Sequence, residues 1–226
     1  MYNERIEGTG FEDLVVGNFN RAAVMAAKAV SAGPVTTQRN PLVLVGGVGT
    51  GKTALLRAVA YNVACRGDGR NVKSLTVRQL IDLYIESIKS FGRIGMVAGI
   101  KSADILLVDG LEDLSKTVSV QDLFAEILDG FIAEGKQVIC ASRELPERIA
   151  DGKLENGLLS RLSSGAVLEL KSPSLSERQS IVRRELENMQ WTPSEKDVRE
   201  LAKNQNNIWK LKGAAHKFVL CRKISN

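Results

Sequence analysis

The spacing of apolar residues divides the chain into two regimes. Up to about residue 171, short continuous apolar runs alternate with longer stretches in which apolar side chains recur every three or four positions. "NPLVLVGG" is a brief apolar run that stops at glycines, which predicts a buried strand. The runs in "NVKSLTV", "DILLVD", "KQVICAS" and "GAVLELK" predict further strands, about five in all. Between them lie helical patterns. Asn20 to Gly33 is alanine-rich and stops at Gly-Pro, and "KTALLRAVAYNVACRG" closes at Gly67. Residues 78–99 place Leu80, Leu83, Tyr84 and Ile88 at helical spacing, and "SVQDLFAEILDGFIAEG" puts Leu123, Ile127 and Phe131 on one face. Strands alternating with helices predict an α/β domain, a five-stranded parallel sheet with helices on both faces.

After "KSPSLS" the strand pattern stops. "SLSERQSIVRRELENM" carries a capping box, Ser174 with Glu177. "TPSEKDVRELAKNQ" opens with Thr192, Pro193 and an acidic first turn, as a helix does. "NNIWKLKGAAHKFVLCRK" predicts a third helix. The expected organisation is a flexible lead-in over residues 1–10, an α/β domain over 11–171 and a small three-helix domain over 172–226.

Composition narrows the function classes. Apolar residues make up 44% and charged residues 25%, which suits a soluble globular protein. No run of about 18 apolar residues is present, so no transmembrane helix and no membrane partner are expected. The stretch "MYNERIEGTGFEDL" is acidic and lacks an apolar core, so it does not read as a signal peptide. Cys65, Cys140 and Cys221 are odd in number and widely spaced, which predicts neither a disulfide framework nor a zinc site and points to a reducing cytoplasm. His216 is the only histidine, which excludes most Ser-His and Cys-His chemistry. Trp191 and Trp209 read as core or interface aromatics. The net charge of +5 permits an anionic partner. The excess gathers at Arg199, Lys203, Lys210, Lys212, Lys217, Arg222 and Lys223, against Glu200 alone in that stretch. Both a solvated helix face and a nucleic-acid surface fit such a run.

The chemistry is concentrated in "GGVGTGKT", which fits G-x-x-x-x-G-K-[ST] between a predicted strand and a predicted helix. In such a loop Gly46, Gly47, Val48, Gly49, Thr50, Gly51 and Ala54 turn backbone N–H groups toward phosphate oxygens. Lys52 meets the β- and γ-phosphates, Thr53 takes a place on Mg²⁺, and the helix adds its positive dipole end. Asp109 ends the apolar strand of "DILLVDG", where an aspartate holds the hydration shell of the same Mg²⁺. The expected ligands are ATP or ADP with Mg²⁺.

Several separated stretches, from about Phe11 to about Val219, resemble the AAA+ module of the bacterial DnaA replication-initiator family. "FEDLVVGNFNRAA" resembles that family's opening segment, and "NPLVLVGGVGTGKTALL" its phosphate loop. "DILLVDGLEDL" falls on its magnesium strand, "GKQVICASRELPERI" resembles its sensor-1 strand, and "LENGLLSRLSSGAVLELKSPSLSERQSIV" resembles the passage into its lid. The resemblance implies a five-stranded sheet with a three-helix lid and ATP-controlled assembly on DNA. It implies that Val16, Gly17 and Asn20 border the adenine. It also implies that Arg161 is an arginine finger acting in trans on a neighbouring subunit's ATP.

The chain departs from this pattern at several points. The family's second acid, which orients the attacking water, is Gly110 here. Glu112 lies two positions on, ~6.5 Å farther along a continued strand, too far to stand in. The sensor-1 position, usually Asp or Asn, is Arg143, after Ser142. Trp209 stands where the family's arginine contacts γ-phosphate, with Lys210 and Lys212 about 100° or more around the helix. The basic residue four before the finger is Gly157. Losing several preorganised groups costs orders of magnitude in rate, while the loop and Lys52 supply most phosphate contacts. The expectation is nucleotide binding with slow or absent hydrolysis. Partners implied are another copy or a related AAA+ protein, and DNA. Single-stranded DNA would meet Ile85, Lys89, Arg93 and Lys116 on the inserted helices, or those helices are simply a packed hairpin. The family's C-terminal helix-turn-helix domain has no counterpart in this sequence. That leaves open an adaptor or loader that recruits a helicase or recombination protein, with nucleotide mainly structural.

Overall fold

The computed structural model describes residues 10–33, 39–90, 92–116, 118–152, 154–203 and 205–224. All but the last residue of the expected lead-in lies outside them. Five strands pair in parallel: β1 (Leu42–Val45), β2 (Val72–Thr76), β3 (Ile105–Asp109), β4 (Gln137–Ser142) and β5 (Ala166–Glu169). Their order across the sheet is β2-β3-β4-β1-β5. The central strands read as unbroken apolar runs because both of their faces are covered. Side chains alternate across the pleat, so Val43, Val45, Leu106, Val108, Val138 and Cys140 face one layer of helices. That layer is α3 (Val77–Lys89), α4 (Arg93–Lys101), α5 (Val118–Ala133) and α6 (Asn156–Ser163), with Leu80, Ile100, Phe124, Phe131 and Leu158 packed inward. Leu42, Leu44, Ile105, Leu107 and Ile139 face α1 (Arg21–Ala32) and α2 (Lys52–Arg66).

Parallel pairing aligns one edge of the sheet. Val45 lies opposite Ser142, and Asp109 opposite Ala141. The phosphate loop leaves β1, Asp109 ends β3, and Arg143 follows β4, all at the carboxyl ends of neighbouring strands. Open α/β sheets bind ligands outside that edge.

The three remaining helices, α7 (Leu175–Asn188), α8 (Glu195–Lys203) and α9 (Ile208–Ile224), pack around their own core of Val182, Leu186, Val198, Ala202, Leu211 and Ala215. Phe19, from the loop before α1, inserts into that core and joins the bundle to the sheet layer. The capping box forms as its spacing predicts, with Ser174 Oγ accepting from the Glu177 N–H.

The structure corrects several expectations. Residues 78–99 form two helices, with the break now located. The chain breaks after Ser90, where the Gly92 N–H donates to Ser87 O at 2.9 Å, and restarts as α4. Helix α6 and the 3-10 turns Leu111–Lys116 and Pro146–Gly152 are too short for periodicity to mark. Trp191 does pack in the bundle, edge-on to Phe218 with centroids 6.0 Å apart. Trp209 does not enter a core; it is 83% exposed.

Candidate functional site

A cavity of about 850 Å³ opens along the carboxyl edge of the sheet, between the phosphate loop, the segment before α1 and the three-helix bundle. The loop from Val48 to Ala54 lines its centre. Gly51 caps α2 at φ +102°, a conformation that L side chains rarely adopt, so a side chain here would strain the loop. Lys52 is buried, and its Nζ donates to the carbonyls of Gly46 and Gly47, the latter at 2.9 Å. Burial holds the Lys52 pKa below the ordinary lysine value. The negative charges of Glu112 and Asp109 oppose that shift, and Arg143 adds to it. Gly46 and Gly47 thus act through their carbonyls and are not on the cavity wall.

The Thr53 hydroxyl donates to Asp109 Oδ2 at 2.6 Å, which brings the two expected magnesium residues together. Their donors are all oxygen, the chemistry a small hard cation requires. No cluster of three or more His, Cys, Asp or Glu that could hold a metal occurs among the described residues. A cation at this position would therefore be completed by phosphate oxygens and water, as Mg²⁺ usually is.

After Asp109 the chain does not continue as a strand. Gly110 takes φ +84° and turns it into the 3-10 segment. This overturns the strand extrapolation for Glu112, because the turn brings Glu112 back onto the cavity wall. Arg143 Nε lies 2.8 Å from Glu112 Oε1, and the Arg143 backbone N–H donates to Oε2 at 3.1 Å. Arg78 and Asp113, 2.9 Å apart, complete this end of the cavity. Sequence patterning did not single out either of them. The signal was present in "GLED", where a glycine followed by acids marks a turn.

At the other end, Leu14, Val15, Phe19 and Asn20 line the wall. Val16 is exposed, and neither it nor Gly17 faces the cavity. Gly17 instead makes room for the lid, since a Cβ there would overlap the Glu177 carboxylate. Glu177 Oε2 accepts from the Ser174 N–H at 2.7 Å, and Oε1 accepts from the Phe19 N–H at 3.4 Å. Asn20 Nδ2 donates to the Val15 carbonyl at 3.0 Å, and its Oδ1 accepts from the Gly17 N–H at 3.0 Å. These bonds shape the loop from both sides.

The bundle closes the site from above. Asn207 Nδ2 donates to the Val48 carbonyl at 3.0 Å, and the Ile208 N–H donates to Gly49 O at 3.0 Å. Trp209, Lys210 and Lys212 all line the cavity. Lys212, three residues on, lies only about 60° around the helix from Trp209, which corrects the expectation that it points away. Lys212 is 2.8 Å from Glu185, which His216 also meets at 2.8 Å.

Arg161 is elsewhere, on α6. It forms a two-pronged pair with Asp129 of α5, at 2.5 and 2.7 Å, in a separate cleft of about 690 Å³. The hydrogen bonds from Arg161 hold the Asp129 carboxyl below its ordinary range. On α3 and α4, Ile85, Lys89 and Arg93 are all exposed, with Arg93 at 2.7 Å from Glu126. The Lys116 side chain lies outside the described residues.

Comparison with known proteins identifies the family and the fold. A family profile for the bacterial DnaA ATPase domain matches residues 6–169. The chromosomal replication initiator protein DnaA of Flavobacterium psychrophilum is 32% identical over 205 residues, 90% of this chain and 42% of that protein. The chain thus spans less than half of that relative's length. Domain III of the Thermotoga maritima replication initiation protein DnaA superposes with a TM-score of 0.89 at 29% identity, covering 96% of this chain and 89% of that one. A replication initiator DnaA bound to AMPPCP and single-stranded DNA superposes with a TM-score of 0.86 at 26% identity, covering 93% and 64%.

Proposed function

The chain belongs to the bacterial DnaA ATPase-domain family, and on that premise we propose that it is an ATP-binding AAA+ module acting in DNA replication. Nucleotide controls its assembly, and hydrolysis is slow or absent. Residues 11–171 work as the nucleotide domain and 172–226 as its lid. The observation that carries this reading is the cavity itself: the phosphate loop, buried Lys52, and the Thr53–Asp109 pair face it together. A DnaA relative of the same fold holds AMPPCP, an ATP analogue.

In this reading the loop amides and Lys52 hold the β- and γ-phosphates, and Thr53 and Asp109 hold Mg²⁺. When bound, Mg²⁺ neutralises charge that develops on the phosphates. Val15, Phe19, Asn20 and Ile181 enclose the base end. In this reading slow turnover follows from Gly110, which has no carboxylate of its own, with the nearby Glu112 carboxylate engaged by Arg143, and from Trp209, which carries no charge at its own position. Arg161 lines a different cleft from the nucleotide cavity of its own chain, and in this reading it acts on a neighbouring subunit. The Asp129 contact would be exchanged for that neighbour's γ-phosphate. Single-stranded DNA would run along α3 and α4, meeting Ile85 and Lys89. Leu83, Ile88 and Ile94 add exposed apolar area to that surface. This apolar character also favours the second reading, an adaptor that docks a helicase or recombination protein.

Calorimetric titration and size measurement with ATP, ADP and no nucleotide test the proposal together. The expected outcome is tight binding that Lys52→Ala abolishes, and ATP-specific oligomers that dissociate in Arg161→Ala. A nucleotide-blind monomer would favour the adaptor. Turnover of several ATP per second would remove the claim of slow hydrolysis.

A further inference from the structure

The basic stretch near the C-terminus divides in two once folded. On α8, Lys196, Arg199 and Lys203 are interspersed with Glu195, Asp197 and Glu200, the mixed charge of an ordinary solvated face. Helix α9 is different: it carries Lys210, Lys212, Lys217, Arg222 and Lys223 and no acid over its 17 residues. Two of these cations are taken up within the bundle. Lys212 meets Glu185 at 2.8 Å, and Arg222 lies over the Phe218 ring at 5.4 Å. Lys210, Lys217 and Lys223 are exposed.

Leu211, Ala215 and Val219 turn one side of α9 into the bundle core. At about 100° per residue, Trp209, Lys210, Gly213, Lys217 and Leu220 fall within one arc on the opposite side. Trp209 and Leu220 are 83% and 60% exposed. Nothing lies within 4 Å of the place where a Cβ would stand at Gly213, so the helix surface between Trp209 and Lys217 is open. A partner helix needs a continuous apolar stripe. This face does not offer one, because exposed His216 and Lys217 stand between Trp209 and Leu220. It offers a flat ring with cations on the same side. Unpaired bases stack on such rings whatever their identity, and lysines beside them meet the backbone phosphates.

We propose that the outward face of α9 binds single-stranded nucleic acid, with a base stacked on Trp209 and the flanking phosphates on Lys210 and Lys217. Those two lysines are about 10 Å apart along the helix, so a strand lying along it passes both. This contact is separate from α3 and α4. It requires neither that path nor a bound nucleotide.

The test is a titration with a labelled thymidine oligomer of about 16 nucleotides. Nucleotide is left out because Trp209 also lines the nucleotide cavity. Fluorescence anisotropy of the oligomer reads binding, and intrinsic emission reads stacking. Binding is expected to quench the tryptophan emission. Trp209→Ala is expected to remove that quenching and to weaken affinity about tenfold. Trp191, packed edge-on to Phe218, supplies the emission that stays. Lys210→Gln and Lys217→Gln are each expected to lower the slope of log affinity against log salt by about 0.7. All three side chains are exposed, so each variant should keep the unfolding midpoint of the unmutated chain. The proposal is overturned if the three variants bind as the unmutated chain does. A loss in Lys89→Gln alone would then leave α3 and α4 as the nucleic-acid surface. It is also overturned if the emission is unchanged at saturation, which would be a phosphate-only contact of the kind a duplex makes. A glutamate polymer that binds as tightly as the oligomer would assign the face to an acidic protein and sink the proposal.

Discussion

Gly110 shows how one backbone angle redistributes a site. At φ +84° the chain turns out of β3, and the carboxylate that reaches the cavity is two residues later, on Glu112. Only the Asp113 carboxylate, at 3.9 Å, approaches the place where a Cβ would stand at Gly110. A substitution here is therefore opposed by the backbone rather than by crowding. Gly110→Ala is expected to lose about 1 kcal/mol, from the left-handed penalty less the unfolded-state gain, in a denaturant titration. The identities of Lys52, Thr53 and Asp109 were legible because the phosphate-loop pattern specifies roles at fixed spacing. Glu112 was not legible, since a strand extrapolates as extended chain beyond Asp109 and a single glycine cancels that geometry. Val15 replaces Val16 on the cavity wall for a related reason: which residue of an irregular segment faces inward depends on its turns, not on periodicity.

At the scale of elements, the capping box of α7 does more than start a helix. Its Glu177 also accepts from the Phe19 N–H and so ties the lid helix to the loop before α1. Glu177→Ala removes the reciprocal cap and that tie, and is expected to lower stability by about 1–2 kcal/mol in thermal or urea unfolding. The pH dependence has a definite sign. Burial raises the Glu177 pKa, but the N–H donors of Ser174 and Phe19 outweigh it and leave it below the ordinary value. A depressed folded-state pKa means that the contribution is complete above the unfolded glutamate pKa. It fades as pH falls through the folded value. The stability gap between the unmutated chain and Glu177→Ala should therefore be constant near neutral pH and shrink in acid. Element type was readable wherever apolar runs or a cap marked it. The position of the break within residues 78–99 and the existence of α6 were not, because short helices carry too few apolar repeats to separate from turns.

For the whole molecule, the contact between bundle and phosphate loop is the feature with the widest consequence. Asn207 serves two partners at once. Its Oδ1 accepts from the Trp209 N–H at 2.8 Å as a cap for α9, while its Nδ2 holds the Val48 carbonyl. Asn207→Ala is expected to lose about 1 kcal/mol of capping. It should also speed hydrogen exchange at the Ile208 and Trp209 amides and weaken nucleotide affinity. Exchange rates unchanged at those amides would show that the contact does not hold the lid. The basic stretch near the C-terminus reads differently once folded. Lys212 is engaged by Glu185 and Arg222 lies over the Phe218 ring at 5.4 Å, so part of that charge is taken up within the bundle.

Local rules determined much of this protein from sequence alone. Doubly covered strands must be apolar throughout, amphipathic helices must repeat every three to four residues, and a phosphate loop needs glycines and a lysine at set positions. Those constraints act over a few residues, so they are written in the order of the chain. The Glu112–Arg143 pair, the Glu177 tie to Phe19 and the Asn207 clasp on Val48 join residues far apart in sequence. Their positions follow from how strands align and where single turns send the chain, which only the packed molecule decides.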